Sequence, residues 1–203
     1  AKVGELEATQ FSTTTKLKGV TFWNVGAMGN DDKNTNGEAL TVNYDLRLAL
    51  KTSFTGEDML TTVLRSGNFA SANTNFSGLT ALEYGFGSAD AVKIGRLFYT
   101  FPVGDSLTVT AGPVVRTDDP GMYAGYATFY PTDLLLDFFT YGGAWATNNL
   151  SGQGSGIGAV YEIGDSGFSV SGNYVAYNAD ETTGGFGTDE SQSTSTWQLF
   201  YSG

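Results

Sequence analysis

A chain of 203 residues is long enough for one sizeable domain, and its net charge of -11 disfavours nucleic acid as a partner. It has no cysteine and no histidine, which removes disulfides, thiolate metal sites, the usual general base and the usual catalytic triads. No run of about 18 apolar residues is present, so no transmembrane helix is available; only a β-barrel could cross a membrane, and the mean hydropathy of -0.13 is compatible with one.

Taken in chain order, Ala1 to Gln10 read as a junction, and the barrel-like pattern occupies residues 11–203. A first strand is expected over Thr14 to Gly26, followed by the polar loop GNDDKNTNGEA. The second, Leu40 to Lys51, carries the clearest signal. Leu40, Val42, Tyr44, Leu46, Leu48 and Leu50 alternate with Thr41, Asn43, Asp45, Arg47, Ala49 and Lys51. That is unbroken period-2 alternation with one apolar and one charged face. At about 3.3 Å per residue the stretch spans roughly 40 Å, enough to cross a bilayer at a tilt. A tight turn at Thr55 to Asp58 leads to strand three, Met59 to Gly67. An Asn/Ser/Gly-rich segment from Asn68 to Asp90 precedes strand four, Ala91 to Phe101. The turn Pro102 to Ser106 leads to strand five, Leu107 to Val115. Strand six, Gly156 to Ile163, is joined by Gly164 to Gly167 to strand seven, Phe168 to Tyr177. The loop NADETTGGFGTDESQS precedes strand eight, Thr194 to Tyr201.

Short turns thus alternate with long loops, the signature of a transmembrane barrel with turns at one side and loops at the other. A soluble sandwich also has many strands, but has less reason to segregate its loop lengths. The longest connection, at about residues 116–155, is too rich in aromatics and leucine to be disordered. Within it, Asp133 to Tyr141 can form a short helix, with Thr132 as N-cap and Gly142-Gly143 as the stop. The segment is expected to fold inward, into the barrel lumen.

The alternation also places charges. With Leu40 to Leu50 facing lipid, the expected pore-lining residues are Lys16, Lys18, Asp45, Arg47, Lys51, Arg65, Lys93 and Arg96. Lys93 and Arg96 differ in parity, so both can face inward only across a β-bulge near Gly95. A lysine or arginine facing lipid at mid-membrane costs about 2–4 kcal/mol, which favours the bulge. All ten lysines and arginines lie at or before Arg116, and the 87 residues from Thr117 onward hold ten acids. A basic wall facing acidic loops would set up a transverse field that sorts ions. The simpler reading is a wall that is polar because water fills the pore. The cluster Lys16, Lys18, Arg47, Lys51 and Arg65 is read as a functional basic patch. Aromatics near strand ends, among them Phe22, Trp23, Phe54, Tyr99, Phe101, Phe168, Trp197 and Tyr201, fit interfacial girdles and equally fit ordinary strand propensity.

No motif for chemistry accompanies this pattern. The paired acids Asp118-Asp119 and Asp180-Glu181 sit in polar loops, where solvation is the ordinary role. The glycine run Gly152 to Gly158 lacks dinucleotide-binding spacing. No enzymatic step, cofactor or metal is expected.

The segments QFSTTTKLKG (Gln10 to Gly19), VNYDLRLALKTSFTGEDML (Val42 to Leu60), LRSGNF (Leu64 to Phe69), GRLFYTFPVGDSLTVTAGPVVRTDD (Gly95 to Asp119) and LLLDFFTYGG (Leu134 to Gly143) resemble the cyanobacterial outer-membrane porins. That family is also described as iron-uptake or carbohydrate-selective OprB-type porins. The resemblance covers most of residues 10–143. It implies an all-β fold, an antiparallel transmembrane β-barrel of about sixteen strands, of which about eight lie in this chain. It implies a homotrimer in the outer membrane, among lipid and lipopolysaccharide, passing small hydrophilic solutes, chiefly inorganic ions. It further implies a preceding S-layer-homology domain, absent from this chain, that grips peptidoglycan-linked polymer. The constriction loop of general porins follows strand five, which places Arg116, Asp118 and Asp119 at its base here. Neither iron nor sugar transport is legible in the residues, and no ligand cluster for iron is present.

Two alternatives to a diffusion porin are a structural outer-membrane anchor with a plugged barrel and a soluble carbohydrate-binding module. The second would use Tyr123, Tyr126 and Tyr130 to stack on sugar.

Overall fold

The computed structural model describes residues 15–27, 40–69, 82–125 and 153–203. Eight strands run β1 (Thr15–Gly26), β2 (Thr41–Thr52), β3 (Met59–Gly67), β4 (Lys93–Val103), β5 (Leu107–Arg116), β6 (Gln153–Glu162), β7 (Phe168–Ala176) and β8 (Ser193–Tyr201). They form one antiparallel sheet in strict sequence order, β1 to β8. The sheet is all-β and open: β1 and β8 are its two edges rather than partners. The expected strands are all present, with ends that move by at most three residues. Pro102 and Val103 extend β4 instead of opening the turn, and Gln153 to Ser155 extend β6. The possible helix at Asp133 to Tyr141, the junction Ala1 to Gln10, and Tyr126 and Tyr130 lie outside the described residues.

A sequential meander puts alternate connections at opposite ends of the sheet. The short ones (β2–β3, β4–β5, β6–β7) share one end, and the long ones share the other. Each short turn needs a left-handed backbone. Gly104 supplies it at φ 66°, and Gly56 at φ 96°. The β2–β3 turn is tied by one carboxylate. Asp58 Oδ1 accepts from the amides of Phe54 (2.9 Å) and Thr55 (2.7 Å) and from the hydroxyls of Ser53 and Thr55 (2.9 Å each). Its Oδ2 accepts from the Tyr99 hydroxyl.

Register partners in an antiparallel ladder share a face. Starting from Asp45, the ladders place Val20, Arg47, Arg65 and Lys93 in one row, and Lys16, Lys51, Thr61 and Phe98 in another. The register slips between Val63 and Leu64, with Gly95 as the extra residue, so Lys93 and Arg96 do lie on the same face. Two further slips occur, at Leu97/Tyr99 and at Gly112/Val115. Pro113 lies between Gly112 and Val115, a position where its missing N–H costs no ladder bond.

The opposite face is apolar. Leu17, Trp23, Val25, Val42, Ile157, Val170, Trp197 and Leu199 all point there and are exposed, Trp23 by 75% and Trp197 by 79%. Within the strands this face has no charged side chain except Arg116, at the last position of β5. Phe54, Tyr99 and Phe101 cluster at its short-turn end, as do Phe168 and Tyr201. Phe22 belongs elsewhere: it is on the charged face and stacks on Tyr84.

Candidate functional site: the charged face and two segments folded onto it

All eight residues expected to line a pore fall on the charged face, but they do not act as one patch. Asp45 is fully buried and holds both neighbouring arginines. Arg65 grips it in a two-pronged fork, Nε to Oδ1 at 2.9 Å and Nη2 to Oδ2 at 2.5 Å. Arg47 donates from Nη2 to Oδ2 at 2.9 Å. The two guanidiniums are direct register partners and would repel without this carboxylate between them. The basic patch Lys16, Lys18, Arg47, Lys51 and Arg65 is therefore split. Its arginines share Asp45, and Arg47 also faces Glu83, while the lysines remain exposed.

The arginines also seat a segment. Residues 82–92 return over β1 to β3. Arg47 donates to the Glu83 carbonyl (3.2 Å), and its Nη1 stands 3.9 Å from the Glu83 carboxylate. Its Cζ lies 4.9 Å from the Tyr84 ring centre and 5.7 Å from that of Phe22, while Arg65 lies 4.4 Å from Phe86. All three are cation–π distances. Phe22 and Tyr84 stack at 3.4 Å. Asn68 bridges Gly87, the Ser88 amide donates to the Gly67 carbonyl (2.9 Å), and the Tyr44 hydroxyl donates to Asp90 (2.7 Å). These bonds hold Ala89 and Asp90 in the left-handed region, at φ 51° and 63°. Sequence reading took this stretch for polar loop and passed over Glu83, Tyr84 and Phe86; the two aromatics among polar residues were the available signal.

A second segment, 117–125, begins where β5 ends and crosses the same face toward β8. Its base is a charge lattice. Arg96 donates to Asp119 (Nε to Oδ1 2.9 Å) and to Gln153 (3.0 Å). The Arg116 amide donates to Asp119 Oδ2 (2.7 Å), and Arg116 Nε pairs with Asp118 at 3.1 Å. Arg116, Asp118 and Asp119 thus stand together at the root of the segment. Burial pushes the Asp118 carboxyl above its ordinary value, against the opposing pull of Arg116. Burial likewise raises Tyr123, against the opposing pull of the Thr196 and Thr117 side chains.

Farther along, Asn173 donates to the carbonyls of Thr117 (3.2 Å) and Met122 (3.1 Å). Gly125 and Gln198 exchange two hydrogen bonds, at 3.1 and 2.5 Å. Met122 is fully buried with Phe98, Val115 and Val175. It fits because β6 presents glycine on this face: a Cβ at Gly158 would sit 2.6 Å from Met122 Sδ and 3.1 Å from its Cα. The glycine run is thus a groove for a returning chain. Met122, Asn173 and Gln198 were not singled out from sequence, because nothing local marks the partner of such a groove.

No family model matches the chain, and no solved structure matches it. Among curated proteins, an uncharacterized protein of Nostoc sp. is 40% identical over 115 residues, covering 51% of this chain and 20% of that protein. An uncharacterized protein of Synechocystis sp. is 34% identical over 112 residues, covering 54% of this chain and 20% of that protein. The matched stretch therefore spans about a fifth of the length of these relatives.

Proposed function

We propose that this chain forms part of the wall of a cyanobacterial outer-membrane porin, a transmembrane barrel through which small hydrophilic solutes, chiefly inorganic ions, diffuse without a chemical step. The observation that carries the reading is the contrast between the two faces of one continuous sheet. Strands of 9–12 residues are the length that tilted membrane-crossing strands need. One face is free of charge from β1 to β8 apart from Arg116 at a strand end, and leaves tryptophan, leucine and valine exposed. The other carries the ions and two inward-folded segments. The open sheet, with β1 and β8 unpartnered among the described residues, agrees with further strands completing a larger barrel of about sixteen. The order of short and long connections suits a membrane barrel, and the relatives are cyanobacterial. On this reading segment 117–125 is the root of a constriction loop. The assembly is a homotrimer in lipid and lipopolysaccharide, tethered to peptidoglycan-linked polymer by a domain outside this chain.

The packing of 82–92 and 117–125 on the charged face favours one second reading, an anchor protein whose barrel is plugged. Planar-bilayer recording of the full-length protein in potassium chloride separates the two. A large steady conductance is expected of the porin, and silence in a correctly inserted protein means the plugged anchor.

A further inference from the structure

On the charged face, each described arginine of β2 to β4 has a carboxylate: Arg47 and Arg65 share Asp45, and Arg96 holds Asp119. Toward the short-turn end of β1 and β2 this compensation stops. Lys16 and Lys51 are direct register partners, which places their Cα atoms about 5 Å apart with both side chains on one face. Lys18 follows two residues along, on the same face, about 7 Å away. All three are exposed, and none forms an ion pair or hydrogen bond with a described residue. The positions around them on that face are Val20, Ala49, Thr61 and Val63, none of them acidic. Asp45 is about 20 Å from Lys51 along β2 and already engaged by two guanidiniums. Like charges set directly opposite in a ladder repel, and no described residue relieves these with an ion pair.

We propose that Lys16, Lys18 and Lys51 form a docking site for a free oxyanion of the phosphate class, a proposal that rests on reading this face as the pore wall. The division of labour follows from side-chain chemistry. The arginines are fixed in forks and ring stacks and act as structure. The lysines are mobile point charges that attract an anion and release it, as a site on a diffusion path must. A lipid headgroup is the wrong occupant, because the three side chains lie on the face opposite the uncharged one.

The test records chloride current through the full-length protein in phosphatidylcholine bilayers while inorganic phosphate is added at constant ionic strength. Phosphate is expected to reduce the native current. The triple variant Lys16→Gln, Lys18→Gln, Lys51→Gln should need roughly tenfold more phosphate, the lower end of the enrichment that a one-signed cleft gives. Lys33→Gln, in the connection between β1 and β2, should behave as native. If the triple variant fails to fold, Lys51→Gln alone should shift the block in the same direction by less. Equal block in native and variant, or no block of a conducting native protein, overturns the site and leaves the pore reading standing. If the native protein carries no current, the pore reading falls and the site is judged alone by phosphorus NMR of phosphate with protein in detergent. Line broadening lost in the variant then upholds it; equal or absent broadening overturns it.

Discussion

Asp45 carries more of this structure than any other side chain. Without its charge, Arg47 and Arg65 face each other across the ladder with nothing between them, and segment 82–92 loses the geometry that stacks Tyr84 and Phe86 on the guanidiniums. Asp45→Asn is expected to destabilise the folded protein by about 2–3 kcal/mol, short of the full cost for a buried pair because each arginine side chain is a quarter exposed. Urea midpoints in detergent measure it, and an unchanged midpoint would remove Asp45 from this role. Asp58 makes a different kind of contribution. Burial opposes its charge, but the Tyr99 hydroxyl, the Thr55 amide and the Thr55 and Ser53 hydroxyls outweigh it and hold the carboxyl well below its ordinary value of 3.8. A depressed acid stabilises the fold above its unfolded pKa, and that stability is lost as pH falls through the folded value. Amide exchange of Phe54 and Thr55 should therefore stay protected at neutral pH and lose protection only in acid well below 3.8. In Asp58→Asn the protection should be weak at every pH. Protection that fades already near pH 5 would mean the carboxylate does not hold this turn.

At the scale of the strand, alternation alone assigns a face to each side chain of β2 and β3, and the ladders agree with it. The bulge at Gly95 was also legible, because lysine and arginine of opposite parity cannot both lie on the charged face without it. The irregularity around Pro113 was not drawn from sequence, although a proline inside a strand pattern points to one. What the returning segments touch was harder still. Glycine at 154, 156 and 158 reads as a weak strand until Met122 is seen lying against Gly158, and that contact joins residues far apart in the chain. Likewise the alternation put Arg47 and Arg65 on the charged face but did not show that one carboxylate bridges both. The two faces of β2 make the assignment testable within one pair of residues. Leu48→Arg should cost about 2–4 kcal/mol if that face meets hydrocarbon, whereas Ala49→Arg, one residue on, should cost far less. The yield of heat-modifiable, folded protein in detergent micelles reports both, and equal yields would argue that the two faces meet the same environment.

For the whole molecule, the open eight-stranded meander explains how an acidic chain of near-neutral hydropathy comes to have one nearly uncharged face. The charges of its described strands are gathered on the other face and at the strand ends, while this face leaves tryptophan, leucine and valine exposed. Trp23, next to one sheet edge, and Trp197, at the other, are among the most exposed side chains of that surface. The most direct measurement is the fluorescence of these two residues, in the full-length protein with every other tryptophan, Trp145 included, replaced by phenylalanine, reconstituted in lipids brominated along their acyl chains. If the apolar face is the lipid-facing wall of a barrel, both tryptophans should be strongly quenched by bromolipid and little affected by aqueous iodide. Strong quenching by iodide with no response to bromolipid would mean that this face meets water or protein, and the porin reading would fall with it.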